Sequence, residues 1–299
     1  MAKLARGFDQ TNLRGSVGAV TYRRVGNVTI ASQKVPMNVK AKQTNALMRV
    51  RMRWANLVAM WQTINKTSWH PSFIRDNKRV SDFNRFMSIN MAATPVYLTR
   101  NIVAIAGGVV ANYVVTEGNL PTIGVEFDSN IPSADIALGT LNLGASTTLK
   151  AFSEAIVNNN NGWQHGDKLT VLIVRQLQDA TSQLPYMESH AEEVTLDTSD
   201  SAATKLLKDY FDTSLIAVSD GYLALSGPVT GGVAFVHSRI VDGETVCSRQ
   251  ALVTNNTTVL SEYTGNTAYL NACATYGGLA VAQTLTPDLN QEPDVNVNP

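Results

Sequence analysis

The chain has 299 residues, of which 44% are hydrophobic and 16% charged, a composition typical of a folded globular protein rather than a disordered one. Its 24 basic and 24 acidic residues balance, but residues 1–100 hold 17 of the basic and only 3 of the acidic ones, so they carry 14 net positive charges and residues 101–299 carry 14 net negative ones. The absence of any run of about 18 apolar residues excludes a membrane-spanning helix. The start also lacks the apolar stretch of a secretory signal, which favours cytoplasmic synthesis.

The basic third begins with β-forming residues. Between residues 13 and 34, two runs rich in Val, Ile, Thr and Tyr flank Gly26-Asn27, a pair that tolerates the positive φ angles of a tight turn. The sequence therefore predicts a β-hairpin with Arg23 and Arg24 next to its tip.

The apolar period then changes from two to about 3.6, which predicts a helix from about residue 42 to 65. Seven apolar side chains share one face of this helix and are expected to face the core: Leu47, Val50, Trp54, Leu57, Val58, Trp61 and Ile64. Lys42, Arg49 and Arg53 fall on the opposite face, and Arg51 flanks the apolar one. The helix is thus predicted to have a core side and a cationic side.

A second helix and a proline close this region. The helix is predicted to begin near Ser81, where Ser81 or Asp82 can cap the free backbone N–H groups, and to end at Pro95. Residues 1–98 are therefore predicted to form a first domain, a basic hairpin followed by a helical pair.

From residue 99 the pattern becomes one of short strands with turn residues about every 8–12 positions. Strands are predicted around a Gly107-Gly108 turn, at 122–129 and 134–144, at 168–179, and in hairpins that turn at Asp220-Gly221 and Asp242-Gly243, with helices at 147–159 and about 201–211. The predicted fold class is α+β, in which the hairpin and helical pair precede a β-rich, sandwich-like domain with one or two helices. That second domain spans 99–285, and residues 286–299 form an acidic tail.

No catalytic or cofactor-binding motif is visible. The four histidines are far apart in sequence, no phosphate-cradling glycine loop is present, and the carboxylates between residues 188 and 200 are expected to be solvated. Cys247 and Cys273 do not make a disulfide framework, although a bridge between them stays open. The sequence therefore predicts a protein that is not an enzyme and that binds neither a metal nor a cofactor.

The concentrated basic residues are the clearest functional signal. The cations expected to contact a subunit or a phosphate are Arg14, Arg23, Arg24, Lys40, Lys42, Arg49, Arg51 and Arg53. Such a face can bind nucleic acid, can pair with the acidic part of an adjacent copy, or can be an ordinary solvated surface. The contact between copies is favoured, because equal and opposite charges reside in one chain.

Several segments resemble a known group of proteins. GSVGAVTYRRVGN, QTNALMRVRMRWANLVAMW and FNRFMSINM are similar to the N-terminal pattern of virion proteins from phages and prophages of Bacteroidetes, and HGDKLTVLIV and VDGETVCSRQALV resemble their β-rich half. The best placement of this resemblance is among the structural proteins of crAss-like phages, whose necks and tails are stacked rings.

The resemblance implies a ring-forming protein of the tail barrel or neck, present in about twelve copies if the portal symmetry is propagated. Its expected partners are further copies of itself and other tail or portal proteins, with no membrane contact. It would be made in the host cytoplasm and reside in the virion. The alternative is a capsid-associated or ejected virion protein that uses the same cations to bind DNA.

Overall fold

The structure is a computed structural model that describes residues 15–25, 28–33, 45–74 and 80–277. The chain divides into two compact units, one formed by 1–44 and 75–81 and the other by 45–74 and 82–299. Each unit is described by itself.

The described part of the first unit is a three-stranded antiparallel sheet. Its strands are β1 (Gly15–Val17), β2 (Val20–Val25) and β3 (Val28–Gln33), in the order β1-β2-β3. The predicted hairpin between β2 and β3 is confirmed, whereas its turn at Gly26-Asn27 lies outside the described residues. Strand β1 was not predicted, and it joins β2 through a turn in which Gly18 has a φ of 58°.

The second unit contains every described helix and the remaining strands. Its elements are α1 (Asn45–Ile64), α2 (Asp82–Asn90), α3 (Arg100–Ala104), β4 (Val114–Thr116), β5 (Val125–Asp128), β6 (Ile131–Ala137), α4 (Leu149–Asn159), β7 (Lys168–Gln178), β8 (Pro185–Thr195), β9 (Ile216–Ser219), β10 (Tyr222–Leu225), β11 (Gly231–Val241), β12 (Glu244–Cys247), β13 (Gln250–Ala251), β14 (Val253–Thr254), α5 (Thr257–Glu262) and α6 (Gly265–Gly277). These antiparallel sheets and helices confirm the α+β prediction.

A long antiparallel sheet lies at the centre of this unit, in the order β12-β11-β7-β8, with β14 also paired to β11. Strand β7 is buried almost continuously from Leu169 to Val174, so both of its faces are covered. This explains why its sequence from Leu169 to Val174 is apolar at every position except Thr170, rather than an alternation of apolar and polar residues.

One face of the central sheet packs against helices. Leu172 and Val174 of β7 share a core with Met60 of α1, Phe86 of α2 and the segment 96–115. Phe86 makes ring contacts with Trp61, Phe73 and Tyr113 at centroid distances of 5.3, 6.2 and 6.4 Å. The helical pair predicted to accompany the hairpin therefore packs on the β-rich region.

The other face packs against a four-stranded sheet, in the order β5-β6-β10-β9, and against α4. Val171 and Phe235 of the central sheet meet Ile136 and Leu223 of the four-stranded sheet in this second core. Helix α4 confirms the helix predicted at 147–159, and it begins after Thr148, whose hydroxyl accepts a hydrogen bond from the Ala151 N–H.

The prediction of two strands around Gly107-Gly108 is wrong. Residues 100–104 form α3, and 107–113 run extended without joining a sheet. The two glycines lie too close to other atoms for any side chain: a Cβ on Gly107 would be 2.5 Å from the Pro185 carbonyl oxygen, and one on Gly108 would clash with Met187.

Buried amide side chains take the place of a neighbouring strand along this segment. Asn56 Oδ1 accepts from the Val109 N–H at 2.8 Å, and its Nδ2 donates to the Val109 carbonyl at 2.9 Å. Gln176 accepts from the Val110 N–H, and Asn90 brackets Val114 in the same two-way manner. The extended backbone is therefore satisfied by side chains from α1, β7 and α2.

Two further differences concern secondary structure. The helix predicted at about 201–211 is instead two short 3-10 turns, Asp200–Thr204 and Leu207–Asp209. The chain there exchanges backbone hydrogen bonds with the residues that precede α4: the Leu207 N–H donates to Thr147 and the Leu149 N–H donates to Lys205. Strand β8 and helices α5 and α6 were not predicted, and the tail at 286–299 lies outside the described residues.

Candidate subunit interface

The side chains of the N-terminal sheet whose exposure is described are half-buried or exposed. Of its side chains whose exposure is described, Val20, Tyr22 and Ile30 are half-buried, Arg23 is exposed, and none is buried. A small sheet normally needs an apolar face packed against another element to be stable in water.

The structure separates the predicted cations. Arg14, Lys40 and Lys42 lie outside the described residues, as does the side chain of Arg24. Arg23 lies on β2, where it is paired with Ile30 of β3, and its side chain is exposed.

The three α1 arginines have different surroundings. The Arg49 guanidinium lies 5.2 Å from the ring centroid of Tyr269 on α6, and Arg53 Nη2 donates to the Ala93 carbonyl at 3.3 Å. Arg51 is exposed. Arg49 and Arg53 therefore do not form a free outer face, because each contacts its own chain.

The apolar face predicted for α1 is wrong in its first turns. Leu47, Val50 and Trp54 are 38%, 48% and 44% exposed, while Met48 and Met52 pack against Tyr269 and its neighbours on α6. Because α6, which was not predicted, packs against this part of α1, the buried face of α1 contains the two methionines. This leaves an apolar stripe next to the exposed Arg51.

Acidic residues concentrate on β8, the last strand of the central sheet. Glu188 and Glu193 are exposed and Glu192 is half-buried. Glu193 pairs with Lys168 at 2.6 Å, and His190 Nε2 lies 3.2 Å from Glu192 Oε1. The segment predicted to be a solvated acidic surface is thus a long edge strand.

A buried polar network lies in the second core, and sequence reasoning missed it. Asp167 is completely buried; its Oδ2 is 2.7 Å from His237 Nε2, and its two oxygens accept from Arg239 Nε and Nη2 at 2.6 and 2.7 Å. The Trp163 ring stacks on His237 at 3.8 Å. The signal was weak, because Asp167 lies 70 residues from His237.

The network holds a turn against the sheet. Arg239 Nη2 also donates to the Gly162 carbonyl, and Asp167 accepts from the Gln164 N–H, so 162–167 is fastened to β11. Burial alone would raise the pKa of Asp167, but the hydrogen bonds from Arg239 and His237 outweigh it and lower that pKa.

Burial lowers the pKa of His237 below its usual 6.5, although the Asp167 carboxylate partly offsets this effect. Its Nδ1 atom is buried without a hydrogen-bond partner. The folded protein therefore favours neutral His237, whereas the unfolded chain takes up a proton near pH 6.5. The stabilisation due to the neutral form is complete above pH 6.5 and decreases as the pH falls below it.

We expect the free energy of unfolding to fall as the pH drops from 6.5 to 5, by at most about 1.4 kcal/mol per pH unit from this one group. Urea denaturation at a series of pH values measures it. The His237→Gln variant should be less stable but show a smaller loss over that interval. Equal slopes for the two proteins would contradict the assignment to His237.

Two surface cavities contain charged groups that are already paired. One, of about 160 Å³, is lined by the Lys168–Glu193 pair and Cys247, whose pKa burial raises to about 11. The other, of about 550 Å³, contains Asp197 and Lys205, which are 3.3 Å apart.

Within the described ranges, no three His, Cys, Asp or Glu side chains are placed to hold a metal ion. Cys247 and Cys273 are both free thiols, which answers the open question of a bridge.

Comparison of the chain with protein-family models, with curated proteins and with solved structures found no significant match. No helix in the described ranges combines the length and apolar character needed to cross a membrane.

Proposed function

We propose that this protein is a non-enzymatic structural component of a phage virion, a ring-forming subunit of the tail barrel or neck. The observation that supports assembly is the β1–β3 sheet, in which no side chain of described exposure is buried. Such a sheet gains its apolar contacts when a neighbouring subunit covers it. The placement in a tail or neck rests on the sequence resemblance.

The charge distribution supports the same proposal. Arg23 and Arg51 remain exposed in the basic part of the chain, and the acidic part presents Glu188, whereas Glu193 is already paired with Lys168. Opposite charges on one chain favour contacts between copies, because the basic part of one molecule attracts the acidic part of the next. Since these groups are partly solvated, the attraction should weaken as salt is added.

The proposal predicts salt-sensitive self-association of the full chain. Light scattering should find oligomers in dilute buffer and smaller species in about 1 M NaCl, where the screening length is only about 3 Å. Arg23→Glu combined with Arg51→Glu should shift this equilibrium toward the monomer, because it places acids where cations meet the acidic part of a neighbour.

Lys208→Glu is the matched control, since Lys208 is exposed but belongs to the acidic part of the chain. It should associate like the parent protein. A monomer at every salt concentration, together with electron micrographs of virions that show no ring containing the chain, would contradict the proposal. Salt-sensitive retention of duplex DNA by the monomer would support the DNA-binding alternative instead.

A further inference from the structure

The first turns of α1 expose an apolar surface. Val50 and Trp54 are 48% and 44% exposed, and Arg51 lies one turn before Trp54 and is exposed as well. Further along the helix, Phe83 of α2 covers the same face, because its ring centroid lies 6.3 Å from that of Trp54 and 5.7 Å from that of Trp61. Helix α2 therefore covers the later turns and leaves the first turns open, as is typical of a surface that binds a partner.

The charge of α1 restricts what can bind there. The helix contains Arg49, Arg51 and Arg53 and no acidic residue. Arg49 and Arg53 contact Tyr269 and Ala93 of the same chain, whereas none of the described residues forms an ion pair with Arg51. Two copies of α1 side by side would bring these arginines together, which disfavours a contact of α1 with itself. The surface is therefore suited to an acidic segment that also has apolar side chains.

The C-terminal segment, residues 286–299, has that composition. It carries Asp288, Glu292 and Asp294 together with Leu289 and Val295, and it contains no Lys or Arg. Its acids complement the exposed cation of α1, and its aliphatic side chains complement the exposed apolar pair. The same segment also contains two prolines after position 286 and before 294, which restrict its backbone and reduce the conformational entropy lost on binding.

We propose that the exposed first turns of α1 bind residues 286–299 of a second copy of this chain. This rests on the proposed function, and it names a contact through which the subunits assemble. Val50 and Trp54 remain exposed in the single chain, so they are available to a neighbouring copy. Apolar burial then supplies affinity, and the ion pairs with Arg51 select the partner.

The segment is long enough to reach a neighbour. Helix α6, which precedes it, packs against Met48 and Met52 in the first turns of α1. The 22 residues that follow Gly277 span at most about 70 Å when extended. A segment that starts beside α1 of one copy can therefore extend to α1 of an adjacent one.

Reversing the charge of the segment in the full chain tests this contact. The triple variant Asp288→Lys, Glu292→Lys and Asp294→Lys should weaken self-association at low salt by about tenfold or more, because attraction to Arg51 becomes repulsion. Sedimentation of a concentration series measures the association constant. These residues lie outside the two cores, so the substitutions leave the packed side chains of the fold unchanged.

The matched control is the triple variant Glu126→Lys, Asp128→Lys and Glu244→Lys, which changes three exposed acids on β5 and β12. It alters the net charge by the same amount but leaves the C-terminal segment intact. Its association should stay within about twofold of the parent. A loss as large as that of the reversed-segment variant would show that net charge alone is responsible and would overturn the proposal.

Charge restoration makes the test specific. Arg51→Glu alone should weaken association, and combining it with the three lysines of the reversed-segment variant should recover much of the loss. If the parent protein assembles but the reversed-segment variant assembles equally well, the binding of the segment to α1 is overturned while the proposed function stands. A parent protein that is monomeric at every salt concentration overturns both.

Photo-crosslinking identifies the occupant of the surface directly. The full chain with p-benzoylphenylalanine in place of Val50 is mixed with an excess of isotopically heavy parent protein, irradiated and digested. Crosslinks from the light α1 peptide to heavy peptides of 286–299 are expected. Crosslinks to the light segment alone would mean that each chain covers its own α1, and crosslinks only to other segments would mean a different occupant. Either result, or the absence of any crosslink to 286–299, would overturn the proposal.

Discussion

Replacing Asp167 with Ala should lower the free energy of unfolding by about 3 to 5 kcal/mol, as found when one partner of a buried ion pair is removed. The carboxylate is completely buried and accepts hydrogen bonds from Arg239 and His237. Its loss leaves a partly buried guanidinium and a buried imidazole without their acceptor. The turn at 162–167 also loses its attachment to β11. Urea denaturation at pH 7.5 measures the effect.

Glu126→Ala is a suitable control for this variant, because Glu126 is an exposed acid on the edge strand β5. It should change stability by no more than about 0.5 kcal/mol. Arg239→Ala, alone and combined with Asp167→Ala, completes a double-mutant cycle. A coupling energy near zero would show that the two side chains stabilise the fold independently, contrary to the contact described.

Replacing Phe86 with Ala should cost about 3 to 5 kcal/mol of stability, in the range for a large aromatic removed from a core. Phe86 is completely buried, and its ring contacts those of Trp61, Phe73 and Tyr113. The cavity would lie where α1, α2 and the segment 96–115 meet, so the surrounding side chains cannot easily collapse into it.

The exposed aromatic Tyr222 provides the comparison for Phe86, since it is 46% exposed on β10. Tyr222→Ala should cost less than about 1 kcal/mol. Thermal and urea denaturation of both variants give the comparison. A loss of less than about 1 kcal/mol for Phe86→Ala would mean that α2 contributes little to the core, against the packing seen here.

Elements with a local signal were predictable from the sequence. The apolar run of β7, the Asp-Gly turns after β9 and β11, and the Thr148 cap of α4 each specify their structure within a few residues. The hairpin of β2 and β3 belongs to the same group. The α+β class followed from the number and order of such elements.

Elements that depend on distant partners were not predictable. The segment 107–113 has β-forming residues but is bonded to Asn56 and Gln176, so tertiary contacts override its propensity. Strand β8 was not predicted, because its glutamates were interpreted as part of a solvated surface segment. The exposed first turns of α1 depend on where α6 packs, which helical periodicity alone does not report.

The candidate interface was predictable only in its charge. Basic and acidic residues could be counted, and Arg23 is exposed as the hairpin prediction requires. The contact of Arg49 with Tyr269 joins residues 220 positions apart, and a guanidinium stacked on an aromatic ring leaves no local pattern. The edge of β8 follows from the strand order, which many short strands can satisfy in several ways.

The central sheet separates the helical core from the core beneath the four-stranded sheet, and β7 and β11 contribute side chains to both. If the packing on one face of the central sheet is lost, apolar side chains of β7 and β11 become exposed, and the sheet that supports the other core is weakened. The two cores are therefore expected to unfold together in one cooperative transition. Substitutions in the middle of β7 must fit the packing on both of its faces. Its half-buried and exposed ends can accept changes more easily.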